Sequence, residues 1–241
     1  MSAGAAVAAA TIGDLRRQAW DLLRDAGIVN AARETDWLLA SALGVPSHVL
    51  ILDGARPVSA LQAQQAWSFF RRRAACEPLQ YILGTQEFRG LDIAVTPAVL
   101  IPRPETELLV EEALRAVVGV EGPAIVDVGT GSGCLAVAIA REHPGATMYA
   151  CDLSGDALAV ARSNAIRHGM RGRIRFIQAD LLEAFGSEPT GAFDAIVSNP
   201  PYIPEREVEA LQPEVARYEP RMALAAGPDG LTFYRRLLRD A

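Results

Sequence analysis

The sequence is poor in residues that bind metal ions or form disulfide bonds. Its three cysteines, Cys76, Cys134 and Cys151, are widely spaced, and its three histidines form no cluster. This scatter excludes the regular ligand spacing of a zinc site, and it is typical of reduced, buried cysteines in a cytoplasmic protein. We therefore expect no metal site and a cytoplasmic location.

Long hydrophobic runs and targeting signals are also lacking. No stretch approaches the roughly 20 apolar residues that a membrane-spanning helix needs. The alanine-rich residues 1–10 contain neither the basic residues nor the strongly apolar core of a signal peptide. We expect these residues to form a disordered tail, and we expect no association with a membrane.

Positive charge is in short supply. The chain of 241 residues carries 23 Lys and Arg against 29 Asp and Glu, so its net charge is −6, and its pI is about 5.2. Proteins that bind nucleic acid usually present a basic face, so we expect no direct contact with nucleic acid. The short run at residues 71–73 either contacts phosphate or, more commonly for such runs, forms a solvated helix face.

What the first third of the chain does have is helical periodicity. Residues 11–27, 34–43 and 59–76 place apolar side chains at helical spacing, and no strand pattern interrupts them. The pattern predicts a small helical domain over residues 1–76.

Proline and glycine then punctuate residues 77–105, which we interpret as a connector. Within it, residues 81–83 and 88–91 are expected to form a β-hairpin or a link between domains. Arg103 and Glu105 either begin a helix with an acidic first turn or line a site between the two domains.

From residue 106 to residue 241, strands and helices alternate. This order predicts an α/β domain with a parallel sheet and right-handed connections. The predicted strands cover residues 124–128, 148–151, 174–177 and 195–198.

A glycine-rich turn follows the first of these strands. Gly129, Thr130, Gly131, Ser132 and Gly133 have G-x-G-x-G spacing, whereas dinucleotide-binding loops have G-x-G-x-x-G. Glycines at this position let a ligand approach the backbone closely. The loop alone is weak evidence for any one cofactor.

Three carboxylates accompany the loop. Asp127 precedes it, Asp152 ends the second strand, and Asp180 follows the third. Asp127 would repel a pyrophosphate but attract an ammonium or sulfonium group, at least through water. Asp152 suits the two hydroxyls of a ribose, and Asp180 suits an adenine amino group. Together with the motif on the fourth strand, these residues predict S-adenosylmethionine as the cofactor and argue against a nicotinamide.

The fourth strand stops at a polar side chain and two prolines. Asn199 follows the apolar residues 195–197, and Pro200 and Pro201 cannot continue a sheet ladder because they lack N–H groups. The Asn199 oxygen and the Pro200 carbonyl form two fixed acceptors that suit a substrate –NH2 group, and Tyr202 could pack on a planar group. By themselves these four residues are equally typical of a strand-ending turn.

Taken together, these motifs resemble those of the class I methyltransferases, and more narrowly the PrmC (HemK) family of protein-(glutamine-N5) methyltransferases. The resemblance covers nearly the whole chain and is carried by residues 80–84, 100–107, 127–133 and 198–204. It implies a Rossmann-like methyltransferase domain and a substrate-recognising N-terminal domain. It also implies that the substrate is the glutamine of a Gly-Gly-Gln tripeptide in a peptide-chain release factor.

The resemblance also assigns roles to individual residues. The family's cofactor loop maps to residues 129–133 and its ribose acid to Asp152. Its adenine-side residues map to Asp180 and Leu181, although the family often has an aromatic residue in place of Leu181. The catalytic, glutamine-binding motif maps to residues 199–202, with Asn199 also bordering the cofactor. Further residues expected to contact the substrate are Phe88, Arg103 and Glu105.

Three other functions stay open. An amino-directed, adenine N6-type nucleic-acid methyltransferase shares Asn-Pro-Pro-Tyr but needs a basic groove. A non-catalytic cofactor-binding module would keep the fold without turnover, and a nicotinamide-dependent oxidoreductase would need different glycine spacing. We expect a monomeric methyltransferase that acts on release factors.

The region after the fourth strand is short of further strands. It contains several prolines, a Gly-Pro-Asp-Gly turn and one predicted helix at residues 231–239. The family's sheet has more strands than this sequence supplies. We therefore expect a C-terminally truncated family member whose fourth strand lies at an open sheet edge, with reduced stability.

Overall fold

A computed structural model describes residues 11–185 and 193–241, so the tail predicted at residues 1–10 lies outside the described residues. The chain divides into two units, Met1–Leu83 and Gly84–Ala241. This division differs from the three segments expected from the sequence. Residues 77–83 group with the helical unit, and the rest of the expected connector belongs to the second unit.

The described part of the first unit is helical, as its periodicity predicts. Two of its helices begin with capping boxes, one formed by Thr11 and Asp14 and the other by Ser59 and Gln62. In each box the two residues satisfy each other's backbone N–H groups, which fixes where the helix begins. The helices are α1 (Ile12–Asp25), α2 (Ala31–Leu43), α3 (Ser47–Leu52), α4 (Ala60–Ala74) and α5 (Leu79–Leu83).

Two details of this unit correct the sequence predictions. Residues 81–83 belong to α5 and not to a hairpin, because the Pro78 carbonyl accepts hydrogen bonds from the N–H groups of Tyr81 and Ile82 and so starts a helical turn. The arginine run is not simply a solvated face. Arg73 is buried and its Nε lies 2.5 Å from Glu34 Oε2, a pairing that offsets the cost of burying both charges.

The second unit begins with an antiparallel hairpin of β1 (Thr85–Phe88) and β2 (Leu91–Ala94). Arg89 and Gly90, both with positive φ, form its turn. Strands and helices then alternate up to β5, and no α-helix separates β5 from β6 among the described residues. The elements are α6 (Glu107–Ala116), β3 (Ala124–Val128), α7 (Cys134–Glu142), β4 (Thr147–Asp152), α8 (Gly155–Arg167), β5 (Ile174–Gln178), β6 (Ala195–Ser198), α9 (Pro213–Tyr218) and α10 (Thr232–Asp240).

Strands β3 to β6 form a parallel sheet in the order β5-β4-β3-β6, which confirms the predicted α/β, Rossmann-like fold. Among the described residues, β6 pairs with β3 alone. Phe233 and Leu237 of α10 pack on a core cluster that contains Val126 and Val128, so α10 covers the sheet face to which these β3 side chains point.

The sheet determines where a site can form. Val128, at the end of β3, is in register with Cys151 of β4 and with Ser198 of β6. The loops that follow these parallel strands therefore emerge at one edge of the sheet, where ligands bind in open α/β folds. No helix in the described part of the chain is long and apolar enough to cross a membrane.

Candidate active site

A cavity of about 250 Å³ lies at this carboxyl edge of the sheet. The loops after β3, β4, β5 and β6 all contribute to its wall, together with residues 98–106 and residues 220–225. The structure thereby brings most of the predicted site residues to one place. Those that line the cavity are Arg103, Gly129, Thr130, Gly131, Ser132, Asp152, Asp180, Leu181, Asn199, Pro200 and Pro201.

Other predicted site residues lie elsewhere. Phe88 is a core residue of β1 and only 1% exposed, so it does not reach a substrate, which corrects the expectation that it contacts one. Glu105 and Tyr202 are exposed and absent from the cavity wall. Asp127 and Gly133 are not among the residues that line the cavity.

The glycine loop is tied to the neighbouring strand. The backbone N–H groups of Gly129 and Thr130 both donate to the Cys151 carbonyl of β4, at 2.9 Å. Gly129 has a φ of +71°, and a Cβ built on it would meet no atom within 4 Å, so its open side faces space that a ligand can use.

Gly133 is required for a different reason. Its φ is +78°, and a Cβ built on it would lie 2.9 Å from the Cβ of Ala161 in α8. This glycine therefore permits close packing between the start of α7 and α8. Its contact with a cofactor stays a prediction beside this packing role.

Asp152 is the carboxylate most directly tied to the loop. Its Oδ2 accepts a hydrogen bond from the Gly131 N–H and its Oδ1 accepts one from the Ser154 N–H, each at 2.9 Å. Ser154 in turn caps α8 by accepting from the Ala157 N–H. The carboxylate thus holds the glycine loop and the start of α8 while it lines the cavity.

Asp127 is buried beneath the loop and is 1% exposed. The Thr130 hydroxyl donates to its Oδ2 at 2.6 Å. Burial raises the pKa of Asp127 to about 7, and the nearby charge of Asp152 adds to the increase. Asp127 therefore supports the loop through Thr130, while its Oδ1 is buried and has no hydrogen-bond partner among the described residues. The expected attraction of a cationic group, direct or through water, stays a prediction.

The adenine-side prediction concerns Asp180 and Leu181. Asp180 Oδ2 lies 2.9 Å from Arg236 Nη2 of α10, so an arginine that the sequence reasoning did not anticipate pairs with this carboxylate. Leu181 gives the cavity an apolar wall. Phe233, also on α10, lines the cavity as well, and it supplies an aromatic ring although residue 181 is not aromatic.

Asn199 is held at the end of β6 by two contacts. The Ser198 hydroxyl donates to the Val128 carbonyl at 2.7 Å, which fixes this strand end against β3. The Asn199 side chain donates from Nδ2 to the Thr106 hydroxyl at 3.2 Å. Since Nδ2 is bound in this way, Oδ1 is the part of the amide left to act as an acceptor in the cavity.

An ion pair completes the wall near residue 103. Arg103 Nη2 lies 2.6 Å from Glu219 Oε1, and the Glu219 side chain is 1% exposed. Burial raises the pKa of Glu219, although the charge of Arg103 opposes this increase. Among the described residues, no three His, Cys, Asp or Glu side chains are grouped so as to bind a metal ion.

Comparison with known proteins assigns both parts of the chain to described families. Residues 14–84 match the PrmC N-terminal domain, and residues 104–216 match the methyltransferase small domain. A protein of Geobacter sulfurreducens described as "Release factor glutamine methyltransferase" is 49% identical over 219 residues, which cover 91% of this chain and 75% of that protein. This chain belongs to the release factor glutamine methyltransferase family.

Other relatives of the same description agree. The release factor glutamine methyltransferase of Chlorobaculum tepidum is 47% identical over 82% of this chain and 69% of its own length. That of Gloeobacter violaceus is 43% identical over 87% of this chain and 72% of its own length. Membership in this release factor glutamine methyltransferase family confirms the resemblance seen in the sequence. It does not favour a nucleic-acid methyltransferase or a nicotinamide-dependent enzyme.

Several residues that line or support the cavity were not predicted from the sequence, among them Thr106, Glu219, Phe233 and Arg236. Each reaches the cavity, or a residue of its wall, from a segment distant in sequence. A weak signal was available for Thr106, two residues after Pro104, and for Glu219, next to Pro220, because stiff backbone near a proline helps to hold a side chain in place. Phe233 and Arg236 belong to the amphipathic helix α10. The apolar periodicity of a helix does not reveal which part of the protein that helix covers.

Proposed function

We propose that this chain transfers a methyl group from S-adenosylmethionine to the side-chain amide nitrogen of a release-factor glutamine, the one in the Gly-Gly-Gln tripeptide. One observation carries the proposal. Asn199 and Pro200, which each carry an acceptor oxygen, line the same cavity as the glycine loop and Asp152, so an amide and a cofactor can meet there. Family membership supports the same reaction.

The residues of the cavity fit the cofactor. Gly129 leaves open space beside the backbone, and Asp152 has acceptor capacity beyond the two hydrogen bonds it already makes, since a carboxylate offers about four lone-pair sites. Leu181 and Phe233 supply an apolar wall suited to a planar base. S-adenosylmethionine, when bound, supplies an electrophilic methyl group.

The chain's own contribution is to prepare a poor nucleophile. The lone pair of a glutamine amide nitrogen is delocalised into its carbonyl, so the nitrogen attacks slowly. Asn199 Oδ1 and the Pro200 carbonyl can accept hydrogen bonds from its two N–H groups and hold the nitrogen in one orientation. Proximity and orientation together can lower an activation barrier by roughly 7–11 kcal/mol, and we assign part of that effect to these two acceptors. Positive charge develops on the nitrogen as it attacks, and fixed acceptor dipoles stabilise that charge.

Methyl transfer would form a nitrogen–carbon bond, break the methyl–sulfur bond, and release S-adenosylhomocysteine together with one amide proton to water. No strong base is therefore required, and none of the described residues that line the cavity is histidine or lysine. The partly exposed Arg103 side chain, held by Glu219, is the cation on the wall and is suited to contact the substrate's backbone carbonyls.

Recognition of the whole release factor is assigned in this proposal to the helical unit. We further propose that the protein acts as a monomer in the cytoplasm without direct contact with nucleic acid. Its net charge of −6 supports the last point.

The experiment that tests this function compares the wild type with Asn199→Ala. Both are incubated with labelled S-adenosylmethionine and a purified release factor under single-turnover conditions. We expect the variant to lose about 100- to 1,000-fold in rate, the usual effect of deleting one preorganised polar group. Its affinity for S-adenosylhomocysteine, measured by calorimetry, should stay close to that of the wild type.

Two controls make the result specific. A release factor whose Gly-Gly-Gln glutamine is replaced by alanine should accept no label. Glu112→Ala, which removes an exposed side chain of α6 outside the cavity wall, should transfer methyl at the wild-type rate. Near wild-type turnover by Asn199→Ala would contradict the proposed role of the amide acceptors.

A further inference from the structure

Thr106 has an unusual role for a residue at the start of a helix. It ends the short turn Pro104–Thr106 and stands in the N-cap position of α6. Threonine in that position normally accepts a hydrogen bond from a backbone N–H of the first helical turn. The Thr106 hydroxyl makes no such cap bond, and it accepts instead from Asn199 Nδ2 at 3.2 Å, across 93 positions in the sequence.

The position of Thr106 is fixed by its surroundings. Thr106 lines the cavity and is only 6% exposed. Its N–H donates to the Arg103 carbonyl at 3.0 Å, and Arg103 is in turn held by the buried Glu219. The hydroxyl is therefore presented to Asn199 by a backbone turn that is itself anchored by an ion pair.

The orientation of the Asn199 amide decides what it offers a substrate. One end of the amide accepts hydrogen bonds and the other end donates them. A substrate –NH2 group brings two donors, so it needs Oδ1 in the cavity and Nδ2 turned away. Thr106 accepts a hydrogen bond from Nδ2 and so holds the plane of the Asn199 amide. The N–H donors of the substrate then favour the amide orientation in which Oδ1 faces the substrate nitrogen.

We infer that Thr106 is a positioning residue for methyl transfer, which acts by holding the Asn199 amide ready to accept the substrate's N–H group. The inference rests on the proposed function, since it concerns the same amide substrate. It predicts that loss of the Thr106 hydroxyl leaves Asn199 present but less well oriented, so that the chemical step slows while the binding of cofactor and release factor persists.

A matched pair of variants tests this role. Thr106→Val keeps the shape of the side chain and removes the hydroxyl, whereas Thr106→Ser keeps the hydroxyl. We expect Thr106→Val to lower kcat roughly tenfold, the effect of one lost hydrogen bond to an orienting group, with KM for the release factor nearly unchanged. Thr106→Ser should stay within about twofold of the wild type on the same argument.

A double-mutant cycle separates positioning from a merely structural contribution. If Thr106 acts through Asn199, then Thr106→Val should cause no further loss in an Asn199→Ala background, measured as residual single-turnover rate at high enzyme concentration. A structural defect would instead lower the rate in both backgrounds. Calorimetry with S-adenosylhomocysteine shows in parallel whether each variant keeps its folded cofactor site.

The outcomes distinguish this inference from the function on which it rests. Wild-type protein that methylates no release factor overturns the proposed function and the inference with it. Wild-type activity accompanied by a fully active Thr106→Val variant overturns the inference alone. Equal losses in the Val and Ser variants, or additive losses with Asn199→Ala, also overturn it.

Discussion

Substitution of Gly133 by alanine tests how the glycine loop is built. The backbone φ of +78° at this position costs an L-residue roughly 1–2 kcal/mol. The new Cβ would also lie 2.9 Å from Ala161 Cβ and 3.1 Å from Ala161 Cα, and overpacking of that kind costs about 1–3 kcal/mol. We therefore expect Gly133→Ala to lower the free energy of unfolding of the second unit by about 2–5 kcal/mol.

Two other glycines provide matched controls. Gly169 has a φ of +74°, and a Cβ added to it would meet no atom within 4 Å, so Gly169→Ala should show the backbone cost without the clash. Gly129 has a φ of +71° and equally open surroundings, but it lines the cavity. Gly129→Ala should therefore match Gly169→Ala in stability and should additionally lose affinity for S-adenosylhomocysteine.

The assay has to report on the second unit. All three tryptophans, Trp20, Trp37 and Trp67, lie in the first unit, so tryptophan fluorescence would follow the wrong part of the chain. Hydrogen exchange of peptides from α7 and α8, measured across a denaturant series, follows the elements that meet at Gly133. Calorimetry with S-adenosylhomocysteine measures the site.

Two outcomes would refute the reasoning. Equal destabilisation by Gly133→Ala and Gly169→Ala would show that contact with Ala161 adds nothing to the cost. A Gly133→Ala protein of wild-type stability that no longer binds S-adenosylhomocysteine would indicate that Gly133 serves the cofactor contact expected from the sequence and not the packing of α7 on α8.

Two further predictions concern the carboxylates beside the loop. Asp152→Ala should weaken S-adenosylhomocysteine binding by about 1–3 kcal/mol, because it deletes a charged acceptor that also holds the Gly131 N–H. An affinity equal to that of the wild type, measured by calorimetry, would contradict the assignment of Asp152 to the ribose. The pKa of Asp127 is raised by burial from 3.8 to about 7, so the stability that its bound proton contributes is fully present below pH 3.8 and is lost as the pH rises through about 7. In Asp127→Asn, residue 127 still accepts a hydrogen bond from Thr130 but does not titrate. Between pH 3.8 and about 7 the wild type should therefore lose stability relative to this variant. Stability measured by hydrogen exchange that changes equally with pH in both proteins would argue against the raised pKa of Asp127.

Much of the fold followed from local patterns. The apolar runs at residues 124–128 and 195–198 predicted strands whose observed bounds agree with them. Parallel topology then explains why Asp152 and Asn199 share a cavity, because the carboxyl ends of parallel strands lie at one sheet edge. The site could be anticipated where a functional side chain directly follows a strand.

The remaining features depend on contacts between distant segments. The bond between Asn199 and Thr106, and the ion pair between Arg103 and Glu219, join residues 93 and 116 positions apart, and no local pattern encodes such pairings. Phe88 shows the converse case. It lies beside motifs of the site, yet strand alternation turns it into the core, where it is 1% exposed.

The cysteines also show the limit of composition. Cys134 and Cys151 are buried as expected, and burial raises the pKa of each to about 12, which makes both thiols unreactive. Cys76 is only partly buried and has a positive φ of 66°, because it lies in the turn after α4. The number and spacing of the cysteines therefore predicted the burial of two of them but not the partial exposure of Cys76.

The most direct test of the account is to locate the transferred methyl group. The wild-type protein is incubated with isotopically labelled S-adenosylmethionine, a purified release factor and an equal mass of RNA and DNA, and the products are digested and sequenced by tandem mass spectrometry. We expect one labelled methyl on the side-chain amide nitrogen of the Gly-Gly-Gln glutamine. Label on nucleic acid, on another protein residue, or on no product at all would contradict it.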